Sequence, residues 1–173
     1  MRWSLIVLVA LAACTDEPAP SRAPVVASSD VAPDTSGSAL PGAVVGQALY
    51  VPAYSHVYSG NRQQPVDLTA TLSIRNTDAT APIRLTRIRY AGSEGQVIRS
   101  YLEAPRTLGP LASAEFVVNE NDRAGGAGAS FMVEWTAEGA VSQPVVEAVM
   151  ISTAYQQGIS FVTEGRVVES VGL

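Results

Sequence analysis

The run DLTATLSIRN, Asp67 to Asn76, constrains the fold more than any other part of the chain. Leu68, Ala70, Leu72 and Ile74 alternate with Thr69, Thr71, Ser73 and Arg75. Successive side chains of an extended strand point to opposite faces, so a strict period of two describes a strand with one face in a core and one in water. The β-branched content of the run agrees.

The run PIRLTRIRY shows the same pattern with a slip, because Ile83 and Leu85 share one phase while Ile88 and Tyr90 take the other. One extra residue at Thr86 or Arg87, a β-bulge, would return all four to one face. Further strands are expected over Gln96 to Leu102, Ala112 to Asn119, Ser130 to Ala137, Val145 to Thr153 and Gly158 to Thr163. The connections NTDATAP, AGSEG, EAPRTLGP, DRAGGAG, EGAVSQP and YQQG carry turn-forming residues. No segment has a convincing helical period. Seven or eight short strands joined in this way point to an all-β protein, an antiparallel β-sandwich of immunoglobulin-like type. Trp135, in phase with Phe131 and Val133, is the expected core anchor. The cysteine pair that flanks such a tryptophan in antibody domains is missing, since Cys14 is the only cysteine.

The chain opens MRWSLIVLVALAACTDE. Arg2, the apolar run Leu5 to Leu11 and the small residues before Cys14 read as a secretory signal peptide over residues 1–13, too short to span a bilayer. Leu11-Ala12-Ala13-Cys14 resembles the bacterial lipobox, whose cysteine is acylated and becomes the first residue of the mature protein. Cys14 is therefore the expected lipidation site, and two or more acyl chains hold a protein at a membrane where one chain binds only marginally. Thr15 stands where Asp would signal inner-membrane retention in enteric bacteria. The resemblance thus implies a lipid anchor in the bacterial cell envelope, at the outer membrane facing the periplasm.

Residues 14–45 read as the lipidated cysteine and a disordered tether: the stretch is rich in Pro, Ala and Ser and free of aromatic residues, too poor in apolar surface to offset its ordering entropy. Its reach is roughly 30 Å. Residues 46–173 remain for a single β-sandwich domain, and a chain of about 130 residues is long enough for a core without disulfides.

The formal net charge is -5, and every basic side chain is Arg. An acidic chain without a basic stripe makes nucleic acid and anionic lipid poor partners. One histidine and one cysteine exclude a Cys/His zinc site or a multi-histidine copper site built from one chain. No sequence feature calls for a cofactor.

The stretch LYVPAYSHVYSG holds three tyrosines and the sole histidine. If it is extended throughout, Tyr50, Tyr54, His56 and Tyr58 share a face, a candidate ligand-binding surface or equally one wall of the sandwich. Pro52, which lacks an N–H, suggests a sheet edge. His56 with a distant Ser and Asp would suit a hydrolase, but no Gly-x-Ser-x-Gly elbow accompanies it. In NENDRAGGAGASF, Asn119, Asn121 and Asp122 offer oxygen donors for calcium, yet the EF-hand pattern fails: Ala124 stands where Gly is required and Ser130 where Glu is required. A polar turn is the plainer reading. The Gly-rich part is no P-loop, since no Lys follows it, and reads as a flexible hairpin loop. Glu134 and Glu147 are the best candidates for a carboxylate pair of the glycosidase kind. Arg84, Arg87 and Arg89 suit the solvent side of a twisted strand better than an anion site.

The blocks LYVPAYSHVY, DLTATLSIRNTD, YLEAPRTLGPLASAEFVV, GGAGASFMVEW and VEAVMISTAYQQGISF resemble a bacterial lipoprotein family known as a domain of unknown function, family 3124. The likeness runs from about Leu49 to Val167. It implies no activity, because that family has none established. The expectation is an envelope-anchored, non-enzymatic binding or interaction module for a glycan, a small hydrophobic ligand or another envelope protein. The alternative is an envelope enzyme or metal-dependent protein that uses His56 with nearby carboxylates.

Overall fold

The alternating run at 68–75 is a strand and its approach in the computed structural model, which describes residues 44–60, 63–153 and 158–172. Leu68, Ala70, Leu72 and Ile74 all have zero exposure. All regular structure among the described residues is strand: β1 (Val44–Pro52), β2 (His56–Tyr58), β3 (Pro65–Asp67), β4 (Thr69–Arg75), β5 (Ile83–Ala91), β6 (Val97–Ser100), β7 (Arg106–Leu108), β8 (Ser113–Val118), β9 (Ser130–Glu138), β10 (Val145–Ser152), β11 (Ile159–Glu164) and β12 (Arg166–Val171).

One sheet has the order β12-β1-β9-β5-β6, with β7 also on β5; the other has β11-β10-β4-β8; β2 and β3 form a separate two-stranded ribbon. Every pairing is antiparallel. The inner faces of the two large sheets share one core, to which Leu49 and Phe131 of the first and Leu72 and Met150 of the second belong. The protein is thus an all-β antiparallel sandwich. Each large side chain buried this way contributes about 1.5–3 kcal/mol relative to leaving it in water, and Trp135, Tyr90 and Phe131 are the largest of them.

All eight expected strands are present, and four more accompany them. The ribbon strands and β7 are only three residues long, too short for a periodic signal, and β12 is exposed on both faces.

The slip in PIRLTRIRY is a bulge at Thr86. The register of β5 on β9 shifts between Leu85 and Arg87, so Ile83, Leu85, Ile88 and Tyr90 all reach the core at 1% exposure or less. The Thr86 hydroxyl donates to the Glu134 carbonyl at 3.1 Å, which satisfies an acceptor beside the irregularity.

The expected edge position of the first strand needs correction. β1 lies inside its sheet, between β12 and β9, because the last strand of the chain returns to cover it. Pro52 is tolerated for another reason: it is the final residue of β1, beyond the last pair with β12.

The end of the sandwich away from the ribbon is braced by two side chains. Asn76, 2% exposed, donates to the carbonyls of Ala81 at 2.8 Å and Gly109 at 2.9 Å. The Asp78 carboxylate accepts the backbone N–H groups of Ser142, Thr80 and Ala81.

Candidate functional site

β1 stops at Pro52, and the chain turns before the ribbon begins. Ala53 donates its N–H to the Ala129 carbonyl at 2.9 Å and Ser55 donates to the Gly126 carbonyl at 3.2 Å, so the turn is stitched to the Gly-rich loop. The register of the ribbon then sets His56 opposite Asp67 and Tyr58 opposite Pro65.

Ser55 is completely buried. Its hydroxyl donates to the Gly126 carbonyl at 3.0 Å and lies 3.2 Å from Nδ1 of His56. Nε2 of the same ring is 3.2 Å from the Tyr58 hydroxyl. One proton arrangement satisfies the whole chain: Tyr58 donates to Nε2, Nδ1–H donates to the Ser55 oxygen, and Ser55 donates to Gly126. The two rings also meet edge to face, 5.2 Å between centroids.

Asp67, across from His56, is gripped by Arg123 through two bonds of 2.6 Å, Nε to one carboxylate oxygen and a terminal nitrogen to the other. These hydrogen bonds hold the Asp67 carboxyl below its ordinary value, with burial acting in the opposite direction. Asp122, next to Arg123, accepts from Arg99 at 2.7 Å and from the Ala124 N–H at 3.2 Å. Arg99 also reaches the Tyr101 hydroxyl, at 3.3 Å.

The glycines between these groups mark close approach. A Cβ on Gly125 would collide with the Tyr90 hydroxyl and lie 2.7 Å from the Ala129 Cβ. Gly126 has φ +74°, where L side chains are strained. Ser93 closes the loop from the far side: its hydroxyl donates to the Gly125 carbonyl and accepts the Gly128 N–H, both at 3.0 Å. The loop is therefore pinned by two serines, where the sequence suggested a flexible hairpin loop.

A family model matches residues 46–168, from early in β1 to the middle of β12. The chain belongs to the family of proteins of unknown function DUF3124. No curated protein matches it. Among solved structures, the crystal structure of Thermotoga maritima 1070 is similar at TM-score 0.44 and 12% identity, over 73% of this chain and 96% of that one.

The DUF3124 fold divides the sequence-derived candidates. His56 and Tyr58 come together on the ribbon. Tyr50 stands apart on the outer face of the first sheet, between Arg166 of β12 and Met132 of β9. Tyr54 packs edge-on against Phe161 of β11, 5.7 Å between centroids. The four do not form one face, because the extended period ends at Pro52. Asn119 and Asn121 are exposed, whereas Asp122 has each oxygen engaged within the domain. Among the described residues no group of three His, Cys, Asp or Glu side chains is placed to hold a metal. Cys14 lies outside the described residues.

Glu134 and Glu147 sit on outer faces of different sheets, with the core between them, so they do not flank a common cleft. Glu134 receives Arg87 and Arg89, each at 3.0 Å, and Glu147 receives Arg75 at 2.9 Å. Arg87 and Arg89 border a shallow groove of about 450 Å³ whose floor is Gly46 and Ala48 and whose far wall is Glu169. A second hollow, of about 570 Å³, lies beside the ribbon between Gln64, Pro65 and Arg123. His56 lines neither.

Sequence reasoning missed Ser55, Asp67, Ser93, Arg99 and Arg123. Arg123 is 56 residues from Asp67 and Ser55 is 71 from Gly126, so no local pattern announces either pairing. The adjacent glycines at 125 and 126 were the only signal, and what they signalled was a buried tyrosine.

Proposed function

We propose that this protein is an envelope-anchored lipoprotein whose β-sandwich is a non-enzymatic binding or interaction module. Acyl chains on Cys14 would hold it at the outer membrane, and the Pro/Ala/Ser-rich segment 14–45 would carry the domain clear of the headgroups towards the periplasm. The observation that carries the binding reading is which side chains remain exposed. Tyr50 and Tyr58 are 39% and 48% exposed, while Ser55, Asp67 and Asp122 are engaged by partners within the domain. Tyrosine offers rigid contact area with one hydroxyl, which suits a glycan, a small hydrophobic ligand or the surface of another envelope protein.

Calorimetric titration with envelope glycan fragments, together with photocrosslinking in cells from position 58, tests the module. Tyr50→Ala should weaken capture and leave the melting curve unchanged, and Tyr58→Ala should weaken capture with only a small loss of stability from its contact with His56; wild-type capture by both variants would sink the reading. For the anchor, Cys14→Ala should lose fatty-acid label, and a mutant that still takes label would refute it.

One observation favours a second reading, an enzyme using His56. Ser55, His56 and Asp67 are neighbours, with Ser55 Oγ 3.2 Å from Nδ1 and Asp67 opposite in the ribbon. Against it, the Ser55 hydroxyl is buried and directed at the Gly126 carbonyl, and both Asp67 oxygens face Arg123. Turnover of nitrophenyl esters by the wild type and none by His56→Gln would reverse the order of the two readings.

A further inference from the structure

The two lateral sides of the sandwich are finished differently. On one side β6 and β7 are four and three residues long, and the Tyr101 hydroxyl donates to the Val117 carbonyl on the edge strand β8 at 3.0 Å. Short edge strands and covered edge groups keep a sheet from pairing with another chain. On the other side the edges are β11 and β12, six residues each, joined through Gly165. Every residue of β12 is exposed, with Val167, Val168 and Val171 at 45%, 59% and 57%. The strand contains neither Pro nor Lys. It presents an open edge, half of it valine.

That edge also carries charge in a particular arrangement. The register of β12 on β1 slips between Ala48 and Leu49, which leaves Val168 as the extra residue of a bulge. Residues three apart on a regular strand point to opposite faces. Here the bulge sets Arg166 opposite Tyr50 and Glu169 opposite Ala48, and both therefore share the outer face of the sheet. Neither takes part in an ion pair among the described residues. An edge with one unpaired cation and one unpaired anion on the same face is complementary to itself when run antiparallel.

We propose that β12 is the interface between two copies of this chain, paired antiparallel so that Arg166 faces Glu169 of the partner subunit, twice, about a two-fold axis between Val167 and Val168. The interface is isologous, as two-fold dimers require. The same register places Val167 against Val168 of the partner subunit, so the exposed valines meet at the axis. Both bulges sit there too, which offsets the two strands equally. An unrelated extended peptide would use the same backbone edge but would leave Arg166 and Glu169 without charge partners, and this favours a second copy. The pairing continues the first sheet across the dimer and turns both Tyr50 side chains to the same side. Two binding surfaces facing one way give avidity to any polymeric or membrane-borne partner.

The test is the oligomeric state of the full chain in detergent micelles, by sedimentation velocity over two decades of protein concentration. A reversible dimer is expected. Arg166→Glu and Glu169→Arg each replace two attractions by two repulsions and should raise the dimer dissociation constant roughly tenfold or more. The double exchange Arg166→Glu with Glu169→Arg should restore it. Both side chains are exposed, so circular dichroism and melting of the single variants should match the wild type, which separates lost pairing from lost folding. A monomer at every concentration, including one whose β12 edge is occupied by residues 15–43 of its own chain, overturns the interface. So does a dimer that tolerates both single reversals, as association through the micelle would.

Discussion

Substituting Gly125 by Ala isolates the packing of the Gly-rich loop against the core. The backbone there is outside the left-handed region, which among the described glycines is occupied by Gly60, Gly95, Gly126, Gly139 and Gly172. Alanine therefore meets no backbone strain, and by restricting the unfolded chain it would on its own stabilise by about 0.4–1 kcal/mol. Any loss is steric. The added methyl would occupy the volume of the Tyr90 hydroxyl, 2.5 Å from the ring carbon that bears it and 2.7 Å from the Ala129 Cβ. Carbon atoms rest at about 3.5–4.0 Å, so the ring must move by roughly an ångström in a close-packed core. Overpacking of this kind costs about 1–3 kcal/mol. Tyr90→Phe removes the deepest overlap, the one with the hydroxyl. That oxygen is buried and makes no hydrogen bond of good geometry, so its loss should cost little or nothing. The double variant should recover part of the single-variant loss, because the contacts with the ring carbon and the Ala129 Cβ remain, giving a coupling energy of about 0.5 kcal/mol or more. Urea unfolding followed by circular dichroism reads all four corners of the cycle, and 2 kcal/mol corresponds to a midpoint shift of about 1 M. A Gly125→Ala midpoint equal to wild type, or a double variant no better than Gly125→Ala alone, would refute the steric account.

Asn76→Ala should cost about 2 kcal/mol in the same assay, because the part-buried carbonyls at Ala81 and Gly109 and the buried one at Leu108 lose their donor; a loss below about 0.5 kcal/mol would contradict the bracing role. Towards acid, backbone N–H groups of Ser142, Ala81 and Thr80 hold the Asp78 carboxyl well below its ordinary 3.8, and Arg123 lowers Asp67 in the same direction. The unfolded chain takes up these protons first, so the stability they supply is present above about pH 4 and is lost as pH falls below it. Asp78→Asn should flatten the acid limb of a melting-temperature profile, and an unchanged limb would count against this assignment. Towards alkali, burial, with the Asp122 charge adding to it, pushes the Tyr90 phenol from 10 up to about 12. Its contribution is intact below pH 10 and lost as pH rises towards 12; burial raises the Tyr101 phenol as well, so ultraviolet titration should show both ionising late in wild type and one fewer late phenol in Tyr90→Phe.

The parts of the fold that were legible before the structure are those in which each side chain has one job. In β4 every second residue reaches the core, so the period alone defines the strand. In β5 even the defect was legible, because Ile83 and Leu85 fall out of phase with Ile88 and Tyr90 and only an inserted residue reconciles them. β12 hid for the opposite reason. Arg166, Val167, Val168, Glu169, Ser170 and Val171 are all exposed, and a strand with no buried face leaves no period to read. Without β12 in view, β1 looked like an edge.

The candidate site was illegible because its pairings are made by register. His56 meets Asp67 through the ribbon, and Arg123 reaches Asp67 because the loop before β9 folds back over that ribbon. What did survive in the sequence was the footprint of those pairings as glycines. Gly125 stands where Tyr90 needs room, and Gly46 stands where β1 passes the Trp135 carbonyl, which a Cβ would approach to 2.5 Å. The second case bears on function. Gly46 forms part of the floor of the groove bordered by Arg87, Arg89 and Glu169, and a bare floor invites a ligand. Yet the pairing of β1 with β9 already requires a glycine there, so the shallow hollow follows from packing whether or not anything binds. Tyr58 is accounted for in part, since His56 meets its ring edge to face and binds its hydroxyl, but among the described residues no ring contact or hydrogen bond engages the Tyr50 side chain, and that asymmetry makes Tyr50, rather than the groove, the place to look for the proposed partner.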